Sequence, residues 1–218
     1  MKSSLMIATL IGSTGLTGSI LVRQLLADSA ITKVISVSRK SLNISNAKLT
    51  EVLVSDLAEL PSIESEIRGE IYFCCLGTTI KTAGSKENFE KVDHAAIVAF
   101  AKISKAHDAK SFTLVSSMGA NASSMFFYNQ VKGRTEDDVK ALGLRSLIIF
   151  KPALLVGPRH EFRLAERIAT KTLVPLSRLL PTRAQKSLIT EAETLAKRML
   201  AEGKAAAGGV HVIQAKDI

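Results

Sequence analysis

Seven short apolar runs punctuate the chain: Leu5–Ile11, Val34–Ser38, Leu49–Val54, Ile71–Leu76, Ser111–Ser116, Ser146–Phe150 and Val210–Ile213. Each is apolar nearly throughout rather than alternating, the pattern of strands covered on both faces. Segments with helical spacing lie between them. Leu16–Ala27 carries Ile20, Leu21, Leu25 and Leu26, and Phe89–His107 places Val92, Ala96, Ala99, Phe100 and Ile103 on one side. Phe127–Leu142 and Glu191–Ala201 follow. This rhythm predicts an α/β fold: a doubly wound, mostly parallel sheet of about seven strands with right-handed crossovers and helices on both faces. The stretch from Gly157 to Leu188, with Pro158, Pro175 and Pro181, breaks the rhythm. It reads as a small C-terminal cap, residues 157–189, inside a single domain spanning 1–218.

Composition narrows the class. The chain has 218 residues, 46% of them hydrophobic and 22% charged, which excludes a disordered or collagen-like polymer. A domain of this size buries roughly 70% of its unfolded surface and needs no disulfide staples. Its two cysteines, Cys74 and Cys75, are adjacent within an apolar run and read as small buried hydrophobes. That usage fits a reducing cytoplasm, the expected location. The four histidines are scattered, so no metal site is expected. The N-terminal apolar run is too short for a signal peptide, and no membrane span is expected. A formal charge of +9 suits anionic ligands. The basic residues are dispersed and aromatics make up 5%, so nucleic acid is not an expected partner.

Five local features carry chemistry. Gly12-Ser13-Thr14-Gly15-Leu16-Thr17-Gly18 follows a predicted strand and opens a predicted helix. Glycines there let backbone N–H groups approach a pyrophosphate at the positive helix end. Gly12 suits the tight turn, Gly15 the close approach and Gly18 the helix–strand packing. A plain glycine turn is the bland alternative. The second strand ends Ser38-Arg39-Lys40. The acid that binds a ribose 2′-OH in NAD-preferring folds is missing there, so Arg39, with Lys40, is expected to pair with a 2′-phosphate. Asp56 and Leu57, after the third strand, suit an adenine amino group and ring, although Asp56 fits a helix N-cap equally well. Leu76-Gly77-Thr78 ends the fourth strand, where the backbone would face the ligand crevice. Finally, Tyr128 and Lys132 sit at i and i+4 on one helix. A phenol is a poor base at neutral pH, but an adjacent ammonium favours the phenolate, so the pair can move a proton at a carbinol or carbonyl oxygen. Ser116 and Ser117 end the strand just upstream.

The order of glycine turn, strand-end serine and Tyr/Lys helix resembles the short-chain dehydrogenase/reductase superfamily, in its atypical and extended branch. Phe150-Lys151-Pro152, continuing to Gly157-Pro158-Arg159, looks like the Arg-Pro…Gly-Pro-Arg segment of that branch, with Lys151 in place of Arg. Phe73-Cys74-Cys75-Leu76-Gly77-Thr78-Thr79, Val92-Asp93, Ser116-Ser117-x-Gly119-Ala120 and Tyr128-x-x-Val131-Lys132-Gly133 look like its Tat-interacting-protein (CC3-like) subfamily of NADPH-binding oxidoreductases.

The resemblance implies a Rossmann-like domain binding NADP(H) in preference to NAD(H). Tyr128 would be the general acid/base, and Lys132 would favour its phenolate and bind the nicotinamide ribose. Ser117 would orient the substrate, with Ser116 as fallback. Ser13, Thr14 and Leu16 would line the pyrophosphate turn, Leu155 would pass the nicotinamide, and Arg163 would reach a phosphate from the cap. Asp93 departs from the pattern, standing where typical members carry an Asn that anchors a proton-relay water. The expected activity is hydride transfer to or from a small carbonyl or alcohol, and Arg159, Arg163 and Arg167 would suit an anionic substrate. An epimerase-like enzyme and an NADPH-binding regulatory protein with little turnover remain alternatives. Relatives often pair as homodimers, but no interface is located by the sequence.

Overall fold

The computed structural model describes residues 5–157 and 188–218. Its strands are β1 (Met6–Ile11), β2 (Ile31–Ser38), β3 (Leu49–Leu53), β4 (Ile71–Cys74), β5 (Ser111–Val115), β6 (Ser146–Lys151), β7 (Leu154–Val156), β8 (Ile189–Glu191) and β9 (Gly209–Gln214). Its helices are α1 (Leu16–Ala27), α2 (Ile80–Ala83), α3 (Lys86–Glu90), α4 (Ile97–Ala106), α5 (Phe127–Ala141) and α6 (Ala192–Ala205). All seven apolar runs form strands of one sheet, in the order β3-β2-β1-β4-β5-β6-β9 and parallel throughout. This is a Rossmann-like α/β fold. The strand order reverses at β1, which lies between β2 and β4, and such a switch point opens a crevice at the carboxyl ends of the strands.

The two-sided burial follows from period-two alternation along apolar strands. On β4, Tyr72 and Cys74 join one core with Phe100 of α4 and Val139 of α5. Ile71 and Phe73 join the opposite core with Leu21 and Leu25 of α1 and Leu195 and Met199 of α6. Each large side chain so buried contributes about 1.5–3 kcal/mol. Coverage fails at β9, where every residue except Ile213 is exposed. As an edge strand, β9 pairs on one side with β6.

Several elements escape the sequence pattern. A 3-10 helix over Leu57–Ile67 links β3 to β4. β7 and β8 form a separate parallel pair. The segment expected as one helix over Phe89–His107 is interrupted by a π-helical turn, Lys91–Ala96, between α3 and α4. The wider i→i+5 turn keeps the outward helical character but rotates the side chains, and such turns favour functional positions. Here it carries Asp93 into the interior, fully buried. The Thr135 hydroxyl of α5 donates to the Asp93 carbonyl at 2.8 Å and to Val131 at 2.9 Å, tying α5 to this turn. Most of the expected cap, 157–189, lies outside the described residues.

Candidate functional site

The glycine turn owes its shape to missing side chains. Gly12 has φ +83°, and a Cβ there would stand 2.5 Å from the backbone carbon of Cys75 and 2.7 Å from the Leu76 nitrogen. A Cβ on Gly18 would meet the Gly12 oxygen at 2.2 Å. The turn after β1 therefore lies directly on the end of β4, the two sides of the crevice in contact. Gly15 caps α1 without a side-chain hydrogen bond, and the first turn of the helix carries no acid. The helix end thus presents backbone donors and its positive pole to an anion. Thr14 and Gly15 are exposed, Leu16 is half-buried and Thr17 is buried. Ser13 is different from expectation: its side chain is buried and accepts a 2.7 Å hydrogen bond from the Ser36 hydroxyl of β2. It braces the turn against β2.

Beyond β2, Arg39 and Lys40 are exposed. The Ser38 hydroxyl donates to the Lys40 carbonyl at 2.7 Å. Glu51 of β3 accepts from the Ser41 hydroxyl and from the Leu42 N–H, at 2.9 and 2.6 Å, shaping the loop that follows. A cleft of about 200 Å³ separates this loop from the glycine turn, lined by Thr14, Ser19, Arg23, Ser41 and Leu42 among others. Arg23, exposed on α1, lines this cleft and is a cation that spacing did not suggest.

Asp56 takes the N-cap position of the helix that follows. The Asp56 carboxylate accepts from the Ala58 N–H at 2.9 Å, and the Glu59 side chain accepts in return from the Asp56 N–H at 2.9 Å, closing a capping box. Leu57 is buried in the core. An Asp after a strand satisfies a helix start as well as an adenine, and here one Asp56 oxygen caps the helix while Leu57 turns into the core.

The far side of the crevice is built from buried charge. Tyr128 and Lys132 lie one turn apart at the start of α5, and the half-buried Tyr128 ring packs on Phe89 at 5.5 Å between centroids. The Lys132 ammonium, 4% exposed, meets the Asp93 carboxylate at 2.7 Å. The second Asp93 oxygen accepts from the Thr78 N–H at 2.8 Å. Burial pulls Lys132 towards losing its proton, but the Asp93 carboxylate and the Tyr128 phenol outweigh it, and its pKa is raised above the ordinary lysine value. A side chain starting from Gly77 would begin 3.7 Å from the Lys132 Nζ. Glycine thus leaves room beside the pair at the end of β4. Burial pushes the Cys74 thiol up to about 12 and the Cys75 thiol well up, so both behave as apolar residues.

A second buried pair supports this side. Glu136 of α5 accepts from the Ser116 hydroxyl at 2.5 Å and from the Lys151 ammonium at 3.1 Å. Lys151, where the family segment usually has Arg, also donates to the Ala120 carbonyl at 2.9 Å. Ser116 is therefore committed to structure. The Ser117 hydroxyl is buried and has no hydrogen-bond partner among the described residues. Gly133 lets the loop at Asn121–Ala122 lie on α5, since a Cβ there would meet the Ala122 nitrogen at 2.1 Å. His94 is engaged with Asp138 at 2.6 Å. Leu155 lies half-buried on β7, and Gly157 is close enough to Leu16 that a Cβ would stand 3.1 Å from its methyl carbon. Arg163 lies outside the described residues. Among those described, no three His, Cys, Asp or Glu side chains converge as metal ligands, and no helix is long and apolar enough to cross a membrane.

A glycine turn at the switch point, facing a Tyr/Lys helix across the strand ends, defines a dinucleotide-binding protein of the short-chain dehydrogenase/reductase type. The chain belongs to the NAD(P)H-binding family, whose model matches residues 12–178, and it is an atypical member resembling the HTATIP2 subfamily. It is 39% identical over 157 residues to "Protein FMP52-1, mitochondrial" of Scheffersomyces stipitis, covering 71% of this chain and 70% of that one. It is 35% identical over 165 residues to "Protein HTATIP2" of Rattus norvegicus, covering 74% and 68%. Among solved structures, the Bordetella bronchiseptica enzyme WbmH in complex with NAD+ shares the fold, with a TM-score of 0.71 at 14% identity over 95% of this chain and 75% of that one.

The expected cytoplasmic location does not stand, because several fungal relatives are named mitochondrial. Unpaired buried cysteines report the packing around them and carry no address.

Proposed function

We propose that the chain is an NADP(H)-dependent oxidoreductase that transfers hydride to or from a small carbonyl or alcohol. The observation that carries this is the position of Lys132. Its ammonium sits beside Gly77 at the end of β4, and the backbone just before Gly77 touches Gly12. The Tyr/Lys helix and the glycine turn therefore address one crevice. The residues fit a dinucleotide: open N–H groups at the start of α1, space over Gly77, and the cationic side chains Arg39, Lys40 and Arg23 towards a 2′-phosphate.

A bound reduced nicotinamide supplies the hydride. Tyr128 gives its phenolic proton to the substrate oxygen as the carbonyl carbon accepts that hydride, and an alcohol results. Ser117 donates a hydrogen bond to the same oxygen, stabilising the negative charge that develops there. Lys132 favours the phenolate left on Tyr128 and binds the ribose. Ser116, Glu136 and Lys151 tie the end of β5 to α5, the elements that carry Ser117 and Tyr128.

The test is reduction of a panel of small aldehydes and ketones, followed by NADPH oxidation. Turnover that falls at least about a hundredfold in Tyr128→Phe, the scale of a lost general acid, with NADPH affinity retained, supports the assignment. Full activity in Tyr128→Phe removes Tyr128 from the mechanism. Tight NADPH binding without turnover across the panel favours a regulatory protein that reads cofactor occupancy.

A further inference from the structure

We propose that Asp93 is the positioning residue that keeps Lys132 charged and aimed at the crevice, making cofactor affinity insensitive to alkaline pH. The inference rests on the reading above, in which Lys132 binds the cofactor.

Three observations carry it. Lys132 and Asp93 are 4% and 0% exposed and meet at 2.7 Å, and a buried ammonium sheds its proton unless a partner compensates its lost hydration. Asp93 is itself held from two sides: the Thr78 N–H donates to its free oxygen, and Thr135 clasps its backbone carbonyl. Its inward position depends on the π turn, a local distortion that an ordinary continuous helix would not need.

The surroundings of Lys132 leave most of the task to Asp93, with Tyr128 adding to it. From β4 it faces the Cys74 thiol, protonated up to about 12. From its own helix it faces the Tyr128 phenol. The loop after β4 brings the backbone of Gly77 and Thr78. Glu136, one turn further along α5, is turned to Ser116 and Lys151. His94, beside Asp93 in the chain, is turned to Asp138. Asp93 is thus the carboxylate paired with Lys132 among the described residues. The neutral Asn that typical members carry here does not supply that charge.

The experiment measures NADPH affinity by fluorescence titration from about pH 7 to about pH 9.5, a range below the ordinary lysine value near 10.4. Wild type is compared with Asp93→Asn, Asp93→Ser and Asp93→Glu, each checked for folding by circular dichroism. Wild-type affinity stays within about twofold across the range. In the neutral variants it falls about tenfold as pH rises, the scale of one hydrogen bond from a charged donor, and in Asp93→Glu the flat profile returns. A flat profile in a folded neutral variant overturns the inference and leaves Asp93 a purely structural role. So does a tenfold fall in wild type, a result that stands even if neither neutral variant folds. If wild type does not bind NADPH at neutral pH, the underlying reading fails as well; if Tyr128→Phe keeps full turnover, the acid/base assignment fails and the titration result stands.

Discussion

The two sides of the crevice are built on opposite principles. The glycine side depends on atoms that are missing: Gly12 and Gly18 allow backbone to lie where a Cβ would approach within 2.5 and 2.2 Å of its neighbours. Its one buried side-chain brace is a neutral hydrogen bond, Ser36 to Ser13. The Tyr/Lys side depends on atoms that are present and charged. Asp93–Lys132 and Glu136–Lys151 are pairs with side chains at most 13% exposed, each completed by hydrogen bonds to its surroundings. Backbone contact gives a surface for a phosphate without titrating. A charge without full hydration must be paired.

The largest effect expected from this contrast is at Gly18. Gly18→Ala forces α1 and the glycine turn apart, because the added carbon meets the Gly12 and Ser13 backbone rather than a flexible side chain. It should cost about 3 kcal/mol or more of stability, beyond ordinary overpacking, and remove NADPH binding. A variant that melts and binds like wild type would break the account of the glycine side.

Lys151→Met comes next. It leaves Glu136 buried with the Ser116 hydroxyl and a distant Lys140, 3.8 Å away. The expected cost is about 2 kcal/mol in denaturant unfolding, below the full penalty for an orphaned buried charge because Lys140 compensates in part. Turnover should fall more than NADPH affinity, since this pair aligns Ser117 and Tyr128 rather than the glycine turn. Equal losses in both would mean that the two sides are not built independently.

The smallest effect is expected at Ser13. Ser13→Ala removes the acceptor for the Ser36 hydroxyl and should cost about 1 kcal/mol, with NADPH affinity within about threefold of wild type, because the phosphate is addressed by backbone. A large loss of affinity with little loss of stability would instead give the Ser13 hydroxyl a direct role.

The same contrast explains what could be read from sequence. The seven strands stand out because each is apolar on both faces, and the glycine turn because glycine is required at fixed short spacing after a strand. The Tyr128/Lys132 spacing was also visible. The partners of these charges were not. Asp93 stood out as a departure from a family pattern, but nothing local connects it to Lys132, and the π turn that brings them together has the same apolar periodicity as an unbroken helix. Glu136 has no local feature that marks its pairing with Lys151. Asp56 had two roles of equal local fit, and the folded chain places it in a capping box. β9 read as covered because Val210, Val212 and Ile213 are apolar, whereas its edge position leaves the strand largely exposed. Local spacing encodes backbone geometry; long-range charge pairing becomes visible once the chain is folded.

The central claim is that this crevice holds NADP(H), with the basic residues after β2 reading the 2′-phosphate. It is tested most directly by titrating the purified protein and its Arg39→Ala variant with NADPH and NADH in parallel. The account predicts that NADPH binds wild type at least about tenfold more tightly than NADH, the scale of one charge-assisted contact, and that the preference collapses in Arg39→Ala while NADH affinity is unchanged. Equal affinity for the two cofactors, or binding of neither, would contradict it.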